Sequence, residues 1–208
     1  MARYVGPACR ICRRQGAKLF LKGTKCMTEK CPFNKRGFPP GQHGQNRIKL
    51  SDYGIQLMEK QKVKRMYGLL EKQFRQTFQR ASRAPGMTGV KLLELLERRL
   101  DNVVFRLGFA TSRSQARQMV LHRHVLVSDR RVTIPSFCVK AGQTLRLVGS
   151  EGFLKAVKET LGLTKERPLP EWLTLHPEEL QATVAGLPNR SDVQFPIQEQ
   201  LIVELYSK

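Results

Sequence analysis

Four cysteines near the start of the chain have the type and spacing to do chemistry: Cys9, Cys12, Cys26 and Cys31. A Cys-x2-Cys turn presents two thiolates to one metal ion, and a second pair nearby completes the tetrahedron of a structural zinc site. The spacing therefore predicts that residues 1–45 fold around one structural Zn²⁺. Such a site contributes about 10 kcal/mol or more of free energy to folding. Four thiolates leave no open position for water, so a catalytic zinc is disfavoured.

Two other uses of the same cysteines stay open. An iron–sulfur cluster also takes four thiolates, and sequence alone does not separate a 4Fe–4S cluster from zinc. Two disulfides would suit a secreted chain, but the residues after Met1 do not contain the apolar run of an export signal. The fifth cysteine, Cys138, lies in an apolar stretch and is expected to be a small buried hydrophobe.

The charge of the chain is strongly positive and unevenly placed. The 208 residues include 37 Lys and Arg and 17 Asp and Glu, which gives a formal net charge of +20. Basic and acidic residues number 13 and 3 in residues 1–60, 18 and 5 in residues 61–150, and 6 and 9 in residues 151–208. Two positive regions followed by a mildly acidic tail indicate a polyanionic partner, and RNA is favoured over a membrane because no apolar stretch is long enough to span one. We expect a cytoplasmic protein.

Turns and helices should position the first positive region. A short strand is expected at residues 19–21, between the two cysteine pairs. Residues 32–50 are rich in Pro and Gly and predict a linker, within which residues 39–44 form a loop suited to lie against a sugar–phosphate backbone. Ser51 predicts the N-cap of a basic helix that runs to about Tyr67.

Further helices should follow with apolar faces. Phe74, Phe78 and Ala81 recur at helical spacing before Pro85 and are expected to be core residues rather than base-stacking platforms. A third helix is expected to begin near Thr88 and to continue without interruption to Gly108.

A basic module completes the positive half of the chain. Ser112 is expected to cap a short helix on which Arg113 and Arg117 share a face. Strands are expected at residues 125–127, 132–134 and 145–148, with a turn at residues 128–131. The pattern predicts two helices packed on a small antiparallel sheet, with Arg and His at one edge, where guanidinium groups pair with RNA phosphates.

The residues of this module resemble a known family. Residues 96–109 read LERRLDNVVFRLGF and residues 112–117 read SRSQAR, which is similar to the RNA-binding domain of the bacterial ribosomal S-four family. The similarity extends over nearly the whole chain, through the cysteines and residues 1–7, 39–44, 51–54, 59–62 and 199–204. The hairpin reads VSDR where many members have VNGR, so no glycine-based tight turn is expected there, and some members lack the cysteines.

The resemblance implies an α+β protein with an N-terminal metal-binding segment of four cysteines, a helical domain, and a small RNA-binding domain of two helices packed on an antiparallel sheet. The expected boundaries are residues 1–45, 46–96 and 97–164, with a segment at 165–208 that packs back on the core. It implies a structural ribosomal protein that binds the 5′-domain junction of small-subunit ribosomal RNA during assembly. It also implies contact with ribosomal protein S-five and other small-subunit proteins, a role in translational accuracy, and a position near the messenger entry channel.

No catalytic residues, small-molecule substrate or membrane partner are predicted. The alternatives are a messenger-RNA-binding autoregulator and the accessory domain of an RNA-modifying enzyme. The residues predicted to bind RNA, from their clustering in the two positive regions and from the resemblance, are Arg3, Arg13, Arg14, Lys18, Arg36, Gln42, His43, Arg47, Lys62, Lys64, Arg106, Arg113, Arg117, His122, Arg123, His124, Arg130 and Arg131.

Overall fold

The computed structural model describes residues 3–46 and 49–207. Its chain divides into two compact units, one of Met1–Leu92 with Phe195–Lys208 and one of Leu93–Gln194. In chain order the helices are α1 (Ala8–Gln15), α2 (Pro32–Lys35), α3 (Asp52–Met66), α4 (Glu71–Arg83), α5 (Thr88–Glu97), α6 (Leu100–Arg106), α7 (Arg113–Leu121), α8 (Glu151–Thr164) and α9 (Glu199–Tyr206). The strands are β1 (Val125–Val127), β2 (Arg130–Arg131), β3 (Thr144–Leu147), β4 (Leu173–His176) and β5 (Gln181–Val184).

The first unit is built on helices whose ends and faces the sequence predicts well. Ser51 caps α3, because its Oγ accepts a hydrogen bond from the Gly54 N–H at 3.3 Å. Phe74, Phe78 and Ala81 of α4 are buried, which confirms the apolar stripe. The C-terminal helix α9 packs on α3 and closes this unit, and its Tyr206 ring stacks 4.5 Å from the Phe78 ring.

The second unit contains a five-stranded antiparallel sheet in the order β2-β1-β3-β5-β4. Its core joins α6 and α7 to the sheet through side chains such as Val103, Val120 and Leu145. Strands β4 and β5 come from the predicted C-terminal segment, yet they complete the same sheet as the predicted RNA-binding domain. The compact units thus divide the chain differently from the segments proposed from sequence.

The expected third helix is two helices, α5 and α6. Arg99 has extended backbone angles and forms a β-bridge with Cys138. On either side, the Arg98 carbonyl accepts from the Val139 N–H at 2.9 Å and the Leu100 N–H donates to the Phe137 carbonyl at 2.8 Å. Pairing with this distant segment replaces helical hydrogen bonds, and so the continuous-helix prediction is wrong at this point.

Two expected strands and one burial also differ. The predicted short strand at residues 19–21 does not form, and Phe20 there adopts a positive φ of 50°. The hairpin's second strand is β2; the Val132 N–H still donates to the Val125 carbonyl at 3.2 Å, but residues 132–134 do not continue the strand. Cys138 is half-buried rather than fully buried. Within the described residues, the helices are too short or too polar to span a membrane.

Candidate functional site

The hairpin of β1 and β2 presents basic side chains to solvent. Arg123 lies just before β1, and Arg130 and Arg131 form β2, where all three are exposed. Val127 pairs with Arg130 across a two-residue turn, in which Ser128 and Asp129 have φ values of 46° and 64°. Left-handed values at both central positions are typical of the tight turns that connect hairpins. A tight turn therefore forms without glycine, within the turn predicted at residues 128–131.

Helix α7 precedes this hairpin in the chain, and its N-cap forms as predicted, although Arg117 lies on its buried side. The Ser112 Oγ accepts from the Gln115 N–H at 3.3 Å and caps the helix. Ala116, Met119 and Val120 are buried on its inner side. Arg113, the first residue of the helix, is half-buried, with its guanidinium over the Phe105 ring at 4.4 Å from the centroid.

The two predicted histidines follow α7. His122 is exposed, and its Nε2 lies 2.6 Å from the Gln118 Nε2. His124 is half-buried because its ring stacks on Phe153 at 3.9 Å and its Nδ1 lies 3.0 Å from the Val148 carbonyl oxygen. Only His122 is therefore presented at the surface.

Arg106 and Arg117 are buried, unlike the exposed residues predicted to bind RNA. Their exposed fractions are 8% and 6%. Arg106 donates to both oxygens of Glu97 at 2.9 and 3.0 Å, and Arg117 donates to Asp101 at 3.1 Å. Charge in the sequence does not reveal that these guanidinium groups lie against carboxylates inside the unit. They are therefore not part of an exposed basic surface.

Lys64 is also directed inward. Lys60 and Lys64, one turn apart on α3, both donate to the Glu71 carboxylate, at 2.6 and 2.7 Å. Burial alone would raise the pKa of Glu71, but hydrogen bonds from Lys60, Lys64 and Tyr206 and the charge of Lys64 outweigh it and lower that pKa to about 2. Lys62 bonds to Glu59 at 2.7 Å and to the Pro196 carbonyl at 2.9 Å. Three lysines of the basic helix α3 are thus paired with two carboxylates of the first unit.

Of the residues predicted to bind RNA in the N-terminal region, one holds a loop and most of the others are exposed to solvent. Arg13 donates to the carbonyls of Phe38 and Pro39 at 3.0 and 3.4 Å and lies over the Phe38 ring, so it holds the predicted loop. Lys18 is half-buried. Arg47 lies outside the described residues. The other predicted side chains of this region are exposed: Arg3, Arg14, Arg36, Gln42 and His43.

The exposed face of α4 is a basic surface that the sequence analysis missed. The face opposite Phe74 and Phe78 carries four exposed cationic side chains: Lys72, Arg75, Arg80 and Arg83. Their spacing of 3, 5 and 3 residues along one helix was the available signal, because it places them away from the apolar stripe. We name these four residues the α4 basic face.

The four N-terminal cysteines are brought together. Helix α1 carries Cys9 and Cys12 one turn apart, a short 3₁₀ helix ends at Cys26, and Cys31 precedes α2. All four line one small cavity, and all are free thiols. Burial raises the pKa of Cys12 and Cys26, and each is partly offset by a hydrogen bond from a backbone N–H.

The arrangement has the donor chemistry of a metal site without its closed geometry. In the part of the chain that the structure describes, no group of three or more His, Cys, Asp or Glu side chains is placed to hold a metal ion. The convergence of four thiols on one cavity nevertheless fits the donor set that structural zinc prefers. The metal stays a prediction.

Comparisons with known proteins match the whole chain. Two family models match consecutive stretches: "Ribosomal protein S4/S9 N-terminal domain" at residues 3–97 and "S4 domain" at residues 98–145. A protein of Trichlorobacter lovleyi named small ribosomal subunit protein uS4 is 58% identical over the full length of both chains. Proteins of the same name from Geobacter sp. strain M21 and Thermodesulfovibrio yellowstonii are 57% and 54% identical, again over the full length of both chains. The chain therefore belongs to the family of small ribosomal subunit protein uS4.

Proposed function

We propose that this chain is a non-enzymatic structural component of the small ribosomal subunit that binds ribosomal RNA through exposed basic surfaces. The observation that supports the proposal most directly is that carboxylates of the second unit are paired with arginines of the same unit. Between residues 93 and 150 there are four acidic side chains, and three of them are paired with arginines of the same unit: Glu94, Glu97 and Asp101. Because the acidic groups are paired internally, the exposed charge of this region is almost entirely positive.

Two surfaces serve the proposed binding, one in each unit. The hairpin contributes Arg123, Arg130 and Arg131, and the α4 basic face contributes four more cations. Arginine suits this role because its planar guanidinium pairs with phosphate through two hydrogen bonds. Folded RNA offers few readable base edges in its helices, so these surfaces should recognise the outline of the RNA rather than its sequence.

The finer assignments follow the family resemblance. We propose that the RNA is the 5′-domain junction of small-subunit ribosomal RNA, bound early in assembly. We also propose contact with ribosomal protein S-five and other small-subunit proteins, with an effect on translational accuracy, and a place near the path of messenger RNA. The relatives' shared name, small ribosomal subunit protein, supports the assembly but not these particular contacts.

Salt dependence and a matched pair of variants test the binding. If about 6–10 phosphates are neutralised, affinity for a 5′-domain RNA fragment should fall roughly 10³–10⁵-fold between 50 and 200 mM salt. Replacing Arg130 and Arg131 with Gln should weaken binding and lower the salt slope by about one for each lost phosphate contact. Replacing Lys155 and Lys158 of α8, which are exposed in the acidic part of the chain, removes the same charge and should change binding less. A flat salt response, or equal losses in the two variants, would contradict the proposal.

We further propose that Cys9, Cys12, Cys26 and Cys31 hold one structural Zn²⁺. Their convergence on one cavity and their free thiols support it. Zinc bound by four thiolates would supply folding free energy to a segment whose own buried apolar surface is small, and it would have no position for a reacting water.

Metal analysis tests this site. Purified protein should contain one zinc per chain, Cys12→Ser should lose it, and Cys138→Ser should retain it because Cys138 lies in the other unit. Iron with an equal amount of sulfide would favour the 4Fe–4S alternative. Protein purified without oxygen and without chelator that contains neither metal would overturn the assignment of a metal site.

A further inference from the structure

The turn between α6 and α7 is held by side chains from a later part of the chain. Carbonyl groups at a helix end have no partners within the helix and must be satisfied from elsewhere. The Thr164 Oγ1 donates to the Gly108 carbonyl at 2.8 Å. Arg167 donates to the carbonyls of Phe105, Ala110 and Thr111 at 2.7, 3.2 and 3.3 Å. Two side chains from beyond residue 145, where the S4 domain match ends, thus donate to four carbonyls of the segment that leads into α7, of which the Phe105 carbonyl also accepts from the Gly108 N–H at 3.2 Å.

Arg167 also shares an aromatic ring with Arg113. The two guanidinium carbons lie 4.1 and 4.4 Å from the centroid of the Phe105 ring. Arg113 is oriented further by its Nε, which donates to the Asn102 Oδ1 at 2.8 Å. The ring, Asn102 and the turn together set where the Arg113 guanidinium points.

The surroundings of Arg167 disfavour its positive charge. Burial lowers its pKa to about 10, and the positive charges of Arg113 and Arg106 contribute to this change. A cation placed beside two others is retained because its nitrogen atoms are bonded to carbonyl oxygens. Since both of its terminal nitrogens donate to the backbone, Arg167 is committed to protein rather than to a ligand.

We propose that Arg167 is a positioning residue for RNA binding: it holds the turn before α7 and, through Phe105, sets the geometry in which Arg113 contacts an RNA phosphate. This inference rests on the proposed RNA-binding function and deepens it. It assigns part of the binding geometry of the S4 domain to a residue outside the matched domain. Arg113 begins α7, where the helix N-terminus also favours an anion.

A double-mutant cycle tests the coupling. Arg113→Gln, Arg167→Gln and the double variant are compared for affinity to the 5′-domain RNA fragment over 50–200 mM salt. Arg113→Gln should lower affinity about tenfold, as expected for one charge-assisted hydrogen bond, and should reduce the salt slope by about one. Arg167→Gln should do the same, and the double variant should lose no more than either single variant. Additive losses, or unchanged affinity in Arg167→Gln, would overturn the inference.

Charge and folding controls separate positioning from other roles. Lys165→Gln removes the same charge from an exposed site two residues away and should leave affinity unchanged. Arg167→Lys keeps the charge but lacks the planar fork, so it should bind as weakly as Arg167→Gln, whereas affinity equal to that of the unmodified protein would show that charge alone matters.

Trp172 fluorescence reports whether each variant is folded at the assay temperature, since this buried tryptophan lies in the same unit. Should Arg167→Gln fail to fold, Thr164→Val removes the hydroxyl that bonds to the Gly108 carbonyl and to carbonyls of α8, leaves the bonds of Arg167 in place, and should cause a smaller loss in the same direction. Unchanged affinity in Thr164→Val would then overturn the inference. The proposed function fails separately, if the unmodified protein shows no salt dependence.

Discussion

The buried carboxylate of Glu97 allows a direct test of how the second unit is held together. Its side chain is inaccessible to solvent, and it accepts hydrogen bonds from Arg106 Nη2 and Nε and from Asn102 Nδ2 at 2.9, 3.0 and 2.8 Å. Arg106 is itself only 8% exposed. Glu97→Ala would therefore leave a buried guanidinium without its principal carboxylate.

The expected cost follows from this burial. Removing one partner of a buried ion pair costs about 3–5 kcal/mol, because the remaining charge stays desolvated. In a unit on the order of 100 residues, each kcal/mol shifts Tm by about 4–8 °C, so Tm should fall by at least about 12 °C. Replacing both partners with apolar residues should cost far less, since no charge then remains buried.

Thermal unfolding, followed by Trp172 fluorescence and circular dichroism, measures these changes. The double variant Glu97→Leu with Arg106→Met should recover most of the lost stability. The exposed Glu178 lies in the same unit, and Glu178→Ala should change Tm little. A loss below about 1 kcal/mol in Glu97→Ala, or a double variant as unstable as the single one, would refute the reasoning.

Two further predictions concern other contacts. The Glu71 carboxyl has an ordinary pKa of 4.5 and a folded pKa of about 2, so its stabilising contribution is complete above pH 4.5 and is lost as the pH falls towards 2. That contribution should be at most about 1 kcal/mol, because the Glu71 side chain is 47% exposed. Denaturant unfolding measured from pH 2 to 7 should show that Glu71→Gln abolishes this part of the acid dependence. An acid profile unchanged by Glu71→Gln would contradict the prediction. Gly108 has a φ of +80°, and a Cβ there would lie 2.8 Å from the Thr164 Oγ1, so Gly108→Ala should destabilise by about 1–3 kcal/mol. Gly162→Ala is the control in α8, since a Cβ there meets nothing within 4 Å, and equal stability of the two variants would count against the strain.

The helices confirmed from sequence are those whose signals are local. Ser51 and Ser112 cap α3 and α7 as predicted, and the stripe of Phe74 and Phe78 marks the buried side of α4. A cap bonds to an N–H within three residues, and a helical face repeats every three to four residues. Such patterns are complete within a short window of sequence, and so they are readable without the fold.

The elements that were mispredicted depend on distant partners. The break between α5 and α6 follows from pairing of Arg98 and Arg99 with Val139 and Cys138. The apolar stripe continues across this break, and nothing local predicts it. The pairing of β5 with β3 is also long-range, and the sequence predicted only that residues 165–208 pack back on the core.

The sequence by itself determined the sign and location of the charge, the grouping of four cysteines and the family. Only the tertiary structure decided which cations face solvent. Arg131 is exposed, whereas Arg106 and Arg117 are bonded to Glu97 and Asp101 within the second unit. The physical reason is that the residue type sets the charge of a side chain, whereas the fold sets which groups bond to that charge and how much water reaches it. A buried guanidinium needs carboxylates or carbonyl oxygens to accept its hydrogen bonds, whereas an exposed one remains available for phosphate.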